Sequence, residues 1–122
     1  MSVTFYGYPK CSTCRKAKQW LEVKGHVLEV IDLVVTPPSA EELDRLQVLS
    51  GLDLAKFFNT AGEVYRELQL KDKLPGMSRE ERLKLLASHG KLIKRPLVTN
   101  GAQVTVGFKE DDYDEKWGNG GR

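Results

Sequence analysis

Cys11 and Cys14 are the two cysteines of this 122-residue chain, and they stand three apart in Tyr6-Gly7-Tyr8-Pro9-Lys10-Cys11-Ser12-Thr13-Cys14-Arg15-Lys16. An apolar run precedes them and a helix-like segment follows. At the start of a helix, positions i and i+3 lie on neighbouring turns, close enough for two sulfurs to bond without moving the backbone. The same place offers unpaired backbone N–H groups and a partial positive charge, which favour a thiolate over a thiol. The thiolate is the nucleophile, so the pair reads as redox or nucleophilic chemistry. Two blander readings meet obstacles. A zinc site needs about four ligands, and only His26 and His89 remain to complete one, at positions that form no short metal motif. A structural disulfide here would close a loop too small to restrict the unfolded chain much.

Other residues could assist. Lys10 precedes the pair and Arg15 follows it, and either could stabilise a Cys11 thiolate or an anion held there. The competing reading of each is solvated surface charge. Arg95-Pro96 stands just before an apolar run, where an X-Pro bond can be cis and bend backbone toward a site. Arg95 could then offer its forked donors to a carboxylate or oxyanion at Cys11, against the plainer reading of a surface arginine. His26 and His89 sit near helix ends, where capping or solvent exposure suits them. Asp111-Asp112-Tyr113-Asp114-Glu115 reads as a solvated helix face.

The elements that must position these groups follow from periodicity. Val3 to Tyr8 is β-branched and aromatic, a buried strand that Pro9 ends. From Ser12 on, Cys14, Ala17 and Leu21 fall at helical spacing, with Trp20 beside them, until Gly25 stops the helix. Cys14 thus faces the core and Cys11 the open end, which makes Cys11 the attacking sulfur and Cys14 the resolving one. His26 to Leu33 alternates as a second strand, parallel to the first because a helix joins them. Ser39-Ala40-Glu41-Glu42 and Ser78-Arg79-Glu80-Glu81 both carry the capping-box signature. The first opens a helix through Leu43, Leu46 and Leu49 that Gly51 closes; the second precedes Leu83, Leu86 and Ala87. Between them, Phe57-Phe58 and Val64 to Leu70 suggest short helical pieces. Leu97 to Thr99 and Val104 to Val106 are short strands, with Asn100-Gly101 favouring a tight hairpin turn between them, and Glu110 to Trp117 is a final short acidic helix.

The order β-α-β, helices, β-β-α predicts an α/β protein: a small mixed four-stranded sheet flanked by helices, the thioredoxin-like plan with a helical insertion. Residues 1–117 would form one domain with the insertion at about 39–90, and 118–122 a flexible Gly-rich tail. Composition fits a soluble globular chain at 40% hydrophobic and 30% charged. No stretch approaches the roughly 20 apolar residues of a membrane span, and the N-terminus lacks the features of a signal peptide. These point to the cytoplasm, where a lone cysteine pair is more often catalytic or sensing than structural. A net charge of +2 with both signs mixed argues against direct nucleic-acid binding, which runs on clustered basic charge.

Together these residues resemble the arsenate reductase (ArsC)/Spx family of thioredoxin-like proteins, and most closely its CxxC-bearing Spx/MgsR-like and arsenate reductase-like members. The likeness spans nearly the whole chain. It rests on Tyr8 to Ala17, Lys56-Phe57-Phe58-Asn59-Thr60, Tyr65-Arg66-Glu67-Leu68, Leu70 to Leu74, Leu92 to Val98 and Val106-Gly107-Phe108. The resemblance implies that Cys11 is the nucleophile and that Arg95 binds the oxyanion in reductases or contacts the CxxC in regulators. It also implies that Pro96 is cis. No bound cofactor is implied; the reductant would be glutathione with glutaredoxin, or thioredoxin. Glutaredoxin-linked reductases of the family use a trio of arginines, whose first and third members fall near Asn59 and Gly107, so Arg95 alone is retained. Losing two guanidinium partners, each worth on the order of 1.5–3 kcal/mol, argues against efficient arsenate reduction. Three readings therefore stand open: a thiol–disulfide enzyme acting through Cys11 and Cys14, a regulator whose disulfide tunes binding to the RNA polymerase α-subunit, and a redox-inert descendant that binds a partner.

Overall fold

Cys11 and Cys14 sit where the first strand hands over to the first helix. The computed structural model describes residues 2–118. Strand β1 (Ser2–Gly7) leads through Tyr8-Pro9-Lys10 into helix α1 (Ser12–Val23), and β2 (Val27–Asp32) follows. After the segment Leu33–Lys94 come β3 (Leu97–Thr99), β4 (Val104–Val106) and α6 (Glu110–Trp117). The sheet order is β2-β1-β3-β4. β2 runs parallel to β1, from Ser2 opposite Val27 to Gly7 opposite Asp32. β3 and β4 are antiparallel, with Phe5 opposite Val98 and Val98 opposite Thr105. This is the thioredoxin-like sheet that the residue pattern predicts, down to the parallel β1–β2 pair.

The chain divides into two compact units, one built from the residues up to Asp32 and from Arg95 on, the other from Leu33–Lys94. The first carries the sheet. Period-2 alternation sends Val3 and Phe5 toward α1, where they meet Cys14, Ala17, Leu21, Val98, Tyr113 and Trp117 in one buried cluster. Aromatic edges lock α6 onto it: Tyr113 meets Trp20 at 5.4 Å and Phe108 at 4.7 Å between ring centroids. Trp117 donates its indole N–H to Thr105 Oγ1 at 3.1 Å. Such edge-to-face ring pairs add to burial by about 0.5–1.5 kcal/mol each. The acidic run of α6 keeps Asp111, Asp112, Asp114 and Glu115 exposed, while Tyr113 between them is a core residue. His26 accepts no solvated role alone: its Nε2 lies 2.7 Å from the Trp117 carbonyl, edge-on to that indole.

The second unit is helical: α2 (Ala40–Ser50), α3 (Glu63–Glu67), α4 (Leu70–Lys73) and α5 (Arg79–Ser88), with 3₁₀ turns at Leu54–Phe57, Leu74–Gly76 and Gly90–Leu92. Leu43, Leu46, Leu83 and Leu86 bury the facing sides of α2 and α5. Ser78 forms the full reciprocal box with Glu81. Ser39 forms half of one: its hydroxyl accepts from Glu42 N–H at 3.1 Å, but the Glu42 carboxylate turns to Arg45 instead. Gly90 is required by a close approach, since a Cβ there would lie 1.9 Å from the Leu33 carbonyl oxygen.

β3 and β4 are joined by a four-residue loop, 100–103. Asn100 Oδ1 accepts from the N–H groups of Ala102 and Gln103 at 2.9 and 3.0 Å, an Asx-type turn. Of the tail expected at 118–122, Gly118 ends α6 and the remaining positions lie outside the described residues. Among the described residues no helix is long and apolar enough to cross a membrane.

Candidate active site at the first strand-to-helix turn

Cys11 is the N-cap of α1. Its backbone is extended (φ −92°, ψ 116°), and its sulfur takes the place that a Ser or Asp oxygen usually fills, accepting the Cys14 N–H at 3.4 Å. Two further bonds fix the turn: Cys11 N–H donates to the Tyr8 carbonyl at 3.0 Å and Arg15 N–H to the Cys11 carbonyl at 3.2 Å. The helix therefore aims an amide at the sulfur, at the end of the helix where its dipole is positive.

Cys14 lies one turn further on, 3% exposed, on the stripe with Ala17 and Leu21 that packs on β1. Cys11 is half-buried, and both thiols are free. The two environments split their acidities. Burial raises Cys11, but the Cys14 thiol and backbone N–H, then the hydrogen bond and charge of Arg95, outweigh it and hold Cys11 below the ordinary thiol range. Burial, followed by the hydrogen bond and negative charge of Cys11, pushes Cys14 up to about 12. One sulfur is made ionisable at the expense of the other.

Arg95 arrives from the far end of the chain. It opens the connection into β3, and its guanidinium lies 5.4 Å from the Tyr8 ring centroid, a cation–π contact that holds it over the Cys11 turn. The Arg95–Pro96 peptide is cis, as the resemblance implies. Pro96 is buried, and its carbonyl accepts from Gly107 N–H at 2.9 Å. Gly107 has φ +78°, in the left-handed region where glycine costs least.

Of the cations singled out in the sequence, Arg95 supplies the hydrogen bond and charge that act on Cys11. Lys10 is exposed in the β1–α1 turn. Arg15 points to a groove beside Cys14, which it lines with Phe5, Gly7, Tyr8, Pro9, Lys18, Val30 and Asp32. Tyr8 and Lys18 were not singled out in the sequence. Tyr8 carries no local signal of its role, because its partner Arg95 is distant in the chain. Lys18 could have been found from its i+4 spacing to Cys14.

The ArsC family model matches residues 6–116. The uncharacterized protein YusI of Bacillus subtilis is 62% identical over 117 residues, covering 96% of this chain and 99% of that one. The regulatory protein MgsR of the same organism is 32% identical over 108 residues, covering 87% and 82%. Among solved structures, a possible arsenate reductase from Streptococcus mutans UA159 superposes with a TM-score of 0.84 at 46% identity, covering 92% of this chain and 97% of that one.

Proposed function

This chain belongs to the ArsC family, and from that premise we propose that it is a cytosolic thiol–disulfide redox protein in which Cys11 attacks and Cys14 resolves. The observation that carries the reading is the Cys11 sulfur serving as helix cap, with an amide and Arg95 both favouring its thiolate. In the forward half-reaction the Cys11 thiolate attacks one sulfur of a disulfide substrate, forming a mixed disulfide and expelling a thiolate that takes a proton from solvent. Cys14 then gives up its proton and attacks Cys11 Sγ, releasing the second thiol and closing the Cys11–Cys14 bond. Two electrons pass from the dithiol to the substrate. A dithiol or glutathione-dependent reductant (glutaredoxin or thioredoxin) returns them.

The coupling of the two thiols supports this order. Negative charge on Cys11 is one of the causes that keep Cys14 protonated. Capture of Cys11 in a mixed disulfide removes that charge, so Cys14 becomes easier to ionise at the step that needs it. Among the described residues Arg95 is the one guanidinium that acts on Cys11, which suits a sulfur leaving group better than a doubly charged oxyanion such as arsenate.

The kinship with the regulatory protein MgsR favours a second reading, in which the same disulfide is a switch on a regulator; the family resemblance implies the RNA polymerase α-subunit as its contact. Two experiments separate them. Thiol labelling after mild peroxide, read by mass spectrometry, should give an intramolecular Cys11–Cys14 bond; its failure to form refutes both. Pull-down of polymerase α-subunit before and after oxidation should show no binding for the enzyme and state-dependent binding for the regulator.

A further inference from the structure

The groove beside Cys14 runs along the parallel pair β1–β2 to its carboxyl end, beside the first βα turn. Its volume is about 290 Å³, at the small end of the range for ligand sites. The floor is apolar. Phe5 and Val30 face each other across β1 and β2, and Gly7 completes it by having no side chain. A Cβ at Gly7 would come within 2.6 Å of the Phe5 ring and 3.5 Å of Cys14 Sγ, narrowing the space. Val30 belongs to the sheet face that α1 covers, next to Leu28 which packs on the core, yet it is 53% exposed. That is an apolar side chain left at an open mouth.

The rim is charged. Arg15 and Lys18 stand on consecutive turns of α1, and Asp32 ends β2 opposite them. Two cations against one carboxylate leave the lining net positive. An occupant must therefore match an apolar floor with an anionic head at the α1 side, kept clear of Asp32. Apolar contact with Phe5, Val30 and Pro9 would supply the bulk of the affinity and the α1 cations the orientation.

We propose that this groove is a binding site for small carboxylates carrying an apolar, ring-sized body, with Arg15 and Lys18 holding the carboxylate. The binding needs no turnover at Cys11, so it stands or falls apart from the redox reading.

The test is an NMR titration of the full-length, reduced, ¹⁵N-labelled chain with phenylpropionate, and with phenylpropanol and phenylpropylamine as neutral and cationic counterparts. Expected are saturable shifts of the Gly7, Arg15, Lys18 and Val30 amides with the carboxylate, weaker binding of the alcohol, and weakest binding of the amine. Lys18→Glu should weaken phenylpropionate by roughly three- to ten-fold, the scale of an exposed ion pair reversed in sign, and leave the alcohol unchanged. Val30→Trp should fill the mouth and abolish saturable binding of both. Val27→Trp, on the opposite sheet face, should bind as wild type and shows that an added indole alone is harmless. Equal response to all three compounds, shifts that never saturate, or a Lys18→Glu variant with unchanged affinity would each overturn the proposal.

Discussion

Replacing Arg95 with Gln should slow alkylation of Cys11 by a modest and calculable amount. Arg95 acts on Cys11 through both a hydrogen bond and its charge. A hydrogen bond to a charged group is worth about 1.5–3 kcal/mol when well shielded, but both groups here are partly open to water. Screening brings the contribution down to on the order of 1 kcal/mol, which is about a five-fold change in the ratio of thiolate to thiol. The sign is fixed: losing a cation disfavours the anion, so the inflection of rate against pH moves to higher pH. The rate falls less than the thiolate population does. A more basic thiolate is a better nucleophile, with a Brønsted slope of about 0.4–0.5, so the net slowing below the inflection is roughly two- to three-fold. Above the inflection the variant should react faster than wild type. The assay is iodoacetamide alkylation from acid to alkaline pH, with mass spectrometry assigning the product to Cys11. Arg95→Lys should fall between the two, keeping the charge and losing the fork. An unmoved inflection in Arg95→Gln would refute the assignment of Arg95 to that sulfur.

Cys14→Ser should trap a mixed disulfide on Cys11 with a small-molecule disulfide, seen as a persistent mass adduct that wild type resolves. In alkali, Cys14 makes the native state lose stability. Its thiol is pushed up to about 12 when folded, so between the ordinary thiol range near 8.5 and that value the unfolded chain ionises first, and stability falls as pH rises. Cys14→Ser should flatten that decline in urea midpoints measured from pH 8 upward. Ser78→Ala should cost about 1 kcal/mol by loss of the α5 cap. It should also weaken an acid-side dependence: Ser78 N–H and hydroxyl contacts hold Glu81 below the usual carboxylate range, and stability from a depressed carboxylate is lost as pH falls through its folded value. Gly90→Ala should be far more damaging than Gly101→Ala by thermal melting. The first drives a Cβ into the Leu33 backbone; the second meets nothing within 4 Å and bears only the strain of φ +91°.

Where the sequence carried its own punctuation, the fold could be read from it. Pro9 and Gly25 bracket α1, Asn100 marks the β3–β4 turn, and the stripe Cys14, Ala17, Leu21 told which thiol faces the core. The bounds of β3, β4 and α6 came out residue for residue. What escaped local reading depends on where distant segments meet or on competing partners. Glu42 had a choice between its cap and Arg45, and spacing does not decide that contest. Tyr8 beneath Arg95 joins two ends of the chain. Val30 is one of the apolar positions that make β2 legible as a strand, yet β2 is an edge strand and leaves it open. Arg15 and Lys10 were indistinguishable by neighbourhood to Cys11, and only helix geometry turns Arg15 toward the groove.

An atom that is both tool and scaffold complicates any attempt to silence it. Because the Cys11 sulfur holds the first turn of α1, an alanine at that position would strip away reactivity and helix anchorage together, at a cost of about 1 kcal/mol. Serine, whose oxygen can take over the same amide, gives an inert stand-in that leaves the helix its starting point. Loss of function in Cys11→Ser can then be charged to missing chemistry alone.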